Sequence, residues 1–203
     1  MQTQTNAQKQ APAVAAVVTH EVESFETWKR AFDAHAGARR SAGIIGTHIN
    51  RHVDAPNRLS VYLAGADAEK LQAFLSSTDL MAAMRDAGVK GPPHVATVTP
   101  VEDLTVKDRP LAGVIVRHEV KDFAAWKPVF DQHGEARAKA GVLGHAVNRS
   151  RQNPNVVVVY LQAESLEALQ AFAGSPDLKQ AMQAAGVVGA PELTFVQGGD
   201  WAS

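Results

Sequence analysis

Cysteine is absent from this chain of 203 residues. Disulfides, thiolate nucleophiles and thiolate metal sites are all excluded, and a reducing cytoplasm is the expected setting. An excess of one charge is also missing: 20 Lys and Arg stand against 21 Asp and Glu, interspersed along the chain, for a formal net charge of -1. With no basic stripe to neutralise phosphates or anionic lipid, neither nucleic acid nor a membrane surface is an expected partner. No apolar run reaches the roughly 18 residues of a membrane-spanning helix. Met1 to Ala13, rich in Gln, Thr and Asn, lacks the basic and apolar regions of a secretory signal and reads as a disordered tail.

Motifs that name a reaction are lacking as well. The 8 histidines invite a metal reading, but none forms His-x-His or a carboxylate-containing ligand set on one element. His48 and His52 have helical spacing yet fall in a predicted strand, where residues four apart stand about 13 Å from each other. There is no Gly-rich phosphate loop and no Gly-x-Ser-x-Gly elbow. No metal, haem or flavin is therefore expected.

What the chain does have is an open duplication. Val14 to Val98 aligns without a gap on Ala112 to Val196 at roughly 45% identity. His20-Glu21-Val22 recurs as His118-Glu119-Val120, and Phe25, Trp28, Lys29, Phe32, Asp33, His35, Arg39 and Gly43 recur as Phe123, Trp126, Lys127, Phe130, Asp131, His133, Arg137 and Gly141. Within one copy, Val14 to Val22 reads as a strand, and Ser24 (Asp122 in the second copy) caps a helix running to about Ala42. Ile44 to Val53 and Leu59 to Gly65 form a hairpin across a turn holding Pro56 and Asn57. A short helix over Ala68 to Leu75, a second capped by Ser77 and ended by Gly88, and a last strand near Val95 to Val101 complete the unit.

The order β-α-β-β-α-β, twice, predicts an α+β protein of tandem ferredoxin-like repeats. Right-handed crossovers give strand order 4-1-3-2 with helices on one face only. In the third strand Leu59, Val61 and Leu63 meet the helices, while Ser60, Tyr62 and Ala64 point away towards a face that must also be covered. The two sheets are expected to close on each other as one intrachain barrel around a lumen. The predicted boundaries are a tail over 1–13, repeats over 14–101 and 111–203, and an exposed connector over 102–110.

The motif His-Glu-Val-x-x-Phe-x-x-Trp-Lys-x-x-Phe-Asp-x-His-x-x-x-Arg-x-x-Gly, with the later Ala-Gly-Val-x-Gly-x-Pro, resembles the dimeric α/β-barrel superfamily, and within it the antibiotic-biosynthesis-monooxygenase-like domains. The resemblance covers both copies and implies that the usual dimer is supplied within one chain. It implies a small-molecule-binding barrel, either a cofactor-independent monooxygenase or isomerase acting on an aromatic or polyketide-like substrate, or a non-catalytic stress-response or ligand-sequestering protein. Here the tryptophans, Trp28 and Trp126, sit on the first helix of each copy, and the third strand has none.

Candidate residues follow from type and position. His20 and His118 end the first strand, placed either to bind substrate or to tie strand to helix by a hydrogen bond. His35 and His133 lie on the packed helix stripe with Arg39 and Arg137 one turn further. Burial and that cation disfavour the imidazolium, so each is read as a neutral base or a satisfied core residue. Tyr62 and Tyr160 face the lumen, where a phenol either bonds a substrate carbonyl or packs. Asn50 and Asn148 stand in strands, which disfavour Asn, and imply specific polar contacts. The assignment is His35, His133, Tyr62 and Tyr160 as catalytic, and His20, His118, Asn50, Asn148, Arg39, Arg137, Trp28 and Trp126 as substrate-binding. Exchanges between copies, including Thr47 for His145 and His48 for Ala146, are expected to make the two sites unequal. The expected partner is a small apolar or aromatic molecule, and the expected state a pseudo-dimeric monomer.

Overall fold

The computed structural model describes residues 12–202, so most of the expected tail lies outside the described residues. The first repeat runs β1 (Val14–Val22), α1 (Phe25–Ala34), α2 (Ala36–Ser41), β2 (Ile44–His52), β3 (Arg58–Gly65), α3 (Ala68–Leu75), α4 (Thr78–Asp86) and β4 (Val89–Leu104). The second follows the same order: β5 (Ala112–Val120), α5 (Phe123–Gln132), α6 (Gly134–Lys139), β6 (Val142–Ser150), β7 (Val156–Ala163), α7 (Leu166–Ala173), α8 (Pro176–Ala184) and β8 (Val187–Ala202). Among the described residues no helix is long and apolar enough to cross a membrane.

Helix starts are set by side-chain oxygens that satisfy the free N–H groups of the first turn. Ser24 accepts from the Thr27 N–H, Asp122 from those of Ala124 and Ala125, and Ser77 and Ser175 from Leu80 and Leu178. The single helix expected to reach Ala42 is corrected to two, broken at His35, and the break recurs at His133. Its cause is local. The Arg39 guanidinium donates to the Phe32 carbonyl, and Arg137 does the same to Phe130. An inserted side chain takes an acceptor from the helical ladder, and the ladder bends there.

The eight strands close into one barrel in the order β1-β3-β2-β8-β5-β7-β6-β4, which contains 4-1-3-2 and its equivalent side by side. Closure comes from β4 and β8. Residues Val89 to Val98 pair with β1 of the same repeat, and Val98 to Leu104 continue onto β6 of the other. Likewise β8 pairs first with β5 and then, from Val196 to Ala202, with β2. The strand thus runs past its expected end at Val101, because its far half finds its partners in the opposite repeat.

Alternation divides each strand between two environments. Leu59, Val61 and Leu63 pack outward against Trp28, Leu71 and Phe74, and Val157, Val159 and Leu161 pack against Trp126, Leu169 and Phe172. Each repeat therefore has its own core between sheet and helices. The inward positions, Ser60, Tyr62, Val158 and Tyr160, line the lumen.

Candidate functional site

Each repeat encloses an apolar pocket between its helices and the outer face of its sheet, about 70 Å³ in the first and about 80 Å³ in the second. In the first, β1 brings His20 to the floor on the same face as Val18 and Val22. Its ring lies 5.5 Å from that of Trp28, which stacks on Phe32 at 5.0 Å, and the Arg39 guanidinium covers Phe32 at 3.6 Å. The second repeat reproduces the ladder: His118 to Trp126 at 5.5 Å, Trp126 to Phe130 at 5.0 Å, and Arg137 over Phe130 at 3.7 Å.

His20 is 7% exposed and His118 6%. Neither nitrogen of either ring has a hydrogen-bond partner among the described residues. The tie from strand to helix weighed for these histidines is therefore not present there. Burial pushes both imidazoles down to about 4, so they are neutral at pH 7 and each ring carries one donor and one acceptor.

His35 lines the same pocket from the break between α1 and α2, and its Nε2 lies 2.8 Å from Oδ2 of Asp79 at the start of α4. His133 and Asp177 repeat this at 2.8 Å. The expectation that an arginine is the charge setting the surroundings of these histidines is corrected, because the partner is an exposed carboxylate. Asp79 and Asp177 went unrecognised in the sequence. Their signal was the recurrence of Ser-x-Asp in both copies, which the start of a helix also explains, since an acidic residue is favoured in its first turn.

The other named residues gather elsewhere. Tyr62, Tyr160, Asn50 and Asn148 line a central cavity of about 50 Å³ inside the barrel, with His48 and Trp201. Tyr160 donates to Oδ1 of Asn50 at 3.1 Å, and Tyr62 donates to Oδ1 of Asn148 at 3.4 Å. Each bond joins one repeat to the other. With its proton committed to Asn50, the Tyr160 oxygen accepts from His48 Nε2 at 3.2 Å. His48 stacks on Trp201 at 3.8 Å. Burial pushes both phenols up. The predicted set is thus split: His20, Trp28, His35 and Arg39 and their equivalents meet in the pockets, while the tyrosines and asparagines meet in the lumen.

The repeats differ behind Phe130. His145 pairs with Glu102 at 2.5 Å, and Glu102 also receives Lys127 at 2.9 Å. Burial pushes Glu102 up, but hydrogen bonds from Lys127 and His145 outweigh it and hold the carboxyl below its usual range. Among the described residues no group of three or more His, Asp or Glu is placed to hold a metal ion.

Residues 121–184 match the antibiotic biosynthesis monooxygenase family model. No curated protein matches the chain. Among solved structures it is similar to an anthrone oxidase-like protein (13% identity, TM-score 0.67, covering 96% of this chain and 94% of that one). A monooxygenase-like protein from Listeria innocua is also similar (10%, TM-score 0.52, 93% and 96%). So is a major regulator of staphylococcal pathogenesis (8%, TM-score 0.53, 90% and 97%). At such identities the likeness is one of fold. The chain is a closed eight-stranded α/β barrel built from two ferredoxin-like repeats, and the second repeat matches the antibiotic biosynthesis monooxygenase model.

Proposed function

We propose that each helix–sheet pocket binds a small, largely apolar aromatic or polyketide-like molecule bearing a hydroxyl or carbonyl, and that the protein oxidises or isomerises it through proton abstraction. The observation that carries this reading is the pair of buried histidines, His20 and His118, whose four ring nitrogens have no partner among the described residues. Leaving a buried polar group unmatched costs about 1–3 kcal/mol, and a ligand oxygen in an otherwise apolar cavity removes that cost. Apolar walls with a few convergent polar groups are the usual form of a small-molecule site.

The second element is the His35–Asp79 pair and its equivalent. A carboxylate accepting from Nε2–H holds one tautomer and leaves Nδ1 as the proton acceptor. Abstraction beside a carbonyl gives an enolate, whose oxygen the N–H of His20 stabilises. Return of the proton at another carbon is isomerisation. Reaction of the anion with molecular oxygen is oxidation: for an anthrone, the methylene loses two hydrogens and gains one oxygen atom, and the second oxygen leaves as water. The name of the anthrone oxidase-like neighbour agrees with this choice of probe.

The test is aerobic incubation with anthrone, a quinol and an aromatic lactone, following oxygen uptake and product. Turnover that falls at least about 100-fold in the His35→Gln/His133→Gln protein is expected. Binding without turnover on all three would instead favour a ligand-sequestering role, and binding of none would overturn the reading.

A further inference from the structure

The two pockets keep the same polar residues but not the same walls. Where α1 places Ala31 against the first cavity, α5 places Val129 against the second. At the end of α3 the first cavity meets Leu75, and at the end of α7 the second meets Ala173. Bulk has moved from one wall to the other, while the volumes stay close at about 70 and 80 Å³. The first pocket therefore carries the larger side chain at the end of α3 and the smaller one beside α1, and the second is the reverse.

A further difference braces the second pocket. Phe130 meets the His145 ring edge-on at 5.3 Å, and His145 is tied through Glu102 to Lys127. In the first repeat Thr47 stands in place of His145, while the pair of Lys29 with Asp33 has its equivalent in Lys127 with Asp131. Arg137 and Trp126 contact Phe130 as Arg39 and Trp28 contact Phe32, so the His145 ring is the contact that sets the second wall apart.

We propose that the pockets are two non-equivalent sites for one class of ligand, the first selecting ring systems extended beside α1 and the second those extended towards the end of α7, anthrone among the latter, with Ala31/Leu75 and Val129/Ala173 as the determinants. This rests on the pocket reading above. Identical polar ladders select the same head group, and displaced bulk on the walls decides which ring outline fits. One or two methylene groups in an apolar pocket discriminate by about 10- to 200-fold.

Calorimetric titration of the full chain with 2-naphthol and with anthrone, under nitrogen to prevent turnover, separates the outcomes. For anthrone, two affinities about 10- to 100-fold apart are expected, against closer values for 2-naphthol. The Ala31→Val/Leu75→Ala protein should merge the anthrone sites at the tighter value, and the Val129→Ala/Ala173→Leu protein at the weaker one. Should a double variant fail to fold, Leu75→Ala alone, which only removes bulk, should tighten the weaker site. Two equal anthrone sites in the unaltered chain, or a gap that these exchanges leave unchanged, would overturn the inference while leaving the pocket reading intact. Failure of both probes to bind would defeat that reading itself.

Discussion

His20 and His118 make opposite demands on stability and binding. A tied core histidine loses stability when replaced by an apolar residue. These two, unpartnered among the described residues, should not. His20→Leu/His118→Leu is expected to keep or raise the melting temperature at pH 7 while weakening anthrone binding at least 10-fold, and a clear drop in melting temperature would show that the rings are structural. Their titration has a definite sign. The folded-state value of about 4 lies below the ordinary 6.5, so between those limits the unfolded chain binds protons that the native one does not. Stability should fall as pH drops from 6.5 to 4, by up to on the order of 3 kcal/mol per histidine, and urea midpoints across that range should flatten in the double variant. His35 and His133 differ, since their aspartate partners are exposed and such pairs contribute at most about 1 kcal/mol. The Gln variants that stop turnover should therefore melt close to the unaltered protein.

At the scale of elements, two features depend on contacts far apart in sequence or unusual in type. The break in the first helix needs a flat guanidinium that covers Phe32 and reaches its carbonyl at once. Lysine cannot do both, so Arg39→Lys is expected to cost about 1–3 kcal/mol in denaturant unfolding and to shift the His35 imidazole resonances as the pair with Asp79 is displaced. The connector between repeats is docked: buried Gln162 accepts from the Val106 N–H at 2.8 Å and donates to its carbonyl at 3.2 Å. Gly144 makes that approach possible, because a Cβ there would meet Gln162 Oε1 at 2.8 Å and the Leu104 carbonyl at 2.9 Å. Gly144→Ala should destabilise by about 1–3 kcal/mol, whereas Gly37→Ala, with nothing near its added carbon, serves as the mild control. Equal melting of the two variants would contradict the docking.

For the whole molecule, closure is shared between repeats. The ends of β4 and β8 pair only across the junctions, and the crossed Tyr–Asn bonds join one repeat to the other inside the lumen. A fragment spanning residues 12–104 should therefore self-associate through β2 and β4 into a dimer that restores the barrel, measured by light scattering after gel filtration. A stable, well-folded monomeric half would contradict this, since it would leave the inner sheet face and two strand edges uncovered.

The duplication, the order of elements, the strand order within a repeat and the two faces of β3 were all legible in the chain. Each follows from local rules: period-two alternation, cap residues, turn formers and the handedness of crossovers. So was most of the pocket, because His20, Trp28, His35 and Arg39 lie within one strand and the helices that follow it. The lumen position of Tyr62 and Tyr160 was legible from the alternation of the third strand, whereas only the closed sheet assigns Asn50 and Asn148 to the interior of the barrel. The Asp79 partner of His35, the Glu102–His145 pair and the Gln162 anchor join residues more than forty positions apart. Such pairings leave no periodic signal in a single sequence. They exist because strand exchange and helix packing bring those side chains together, and that decision belongs to the tertiary structure.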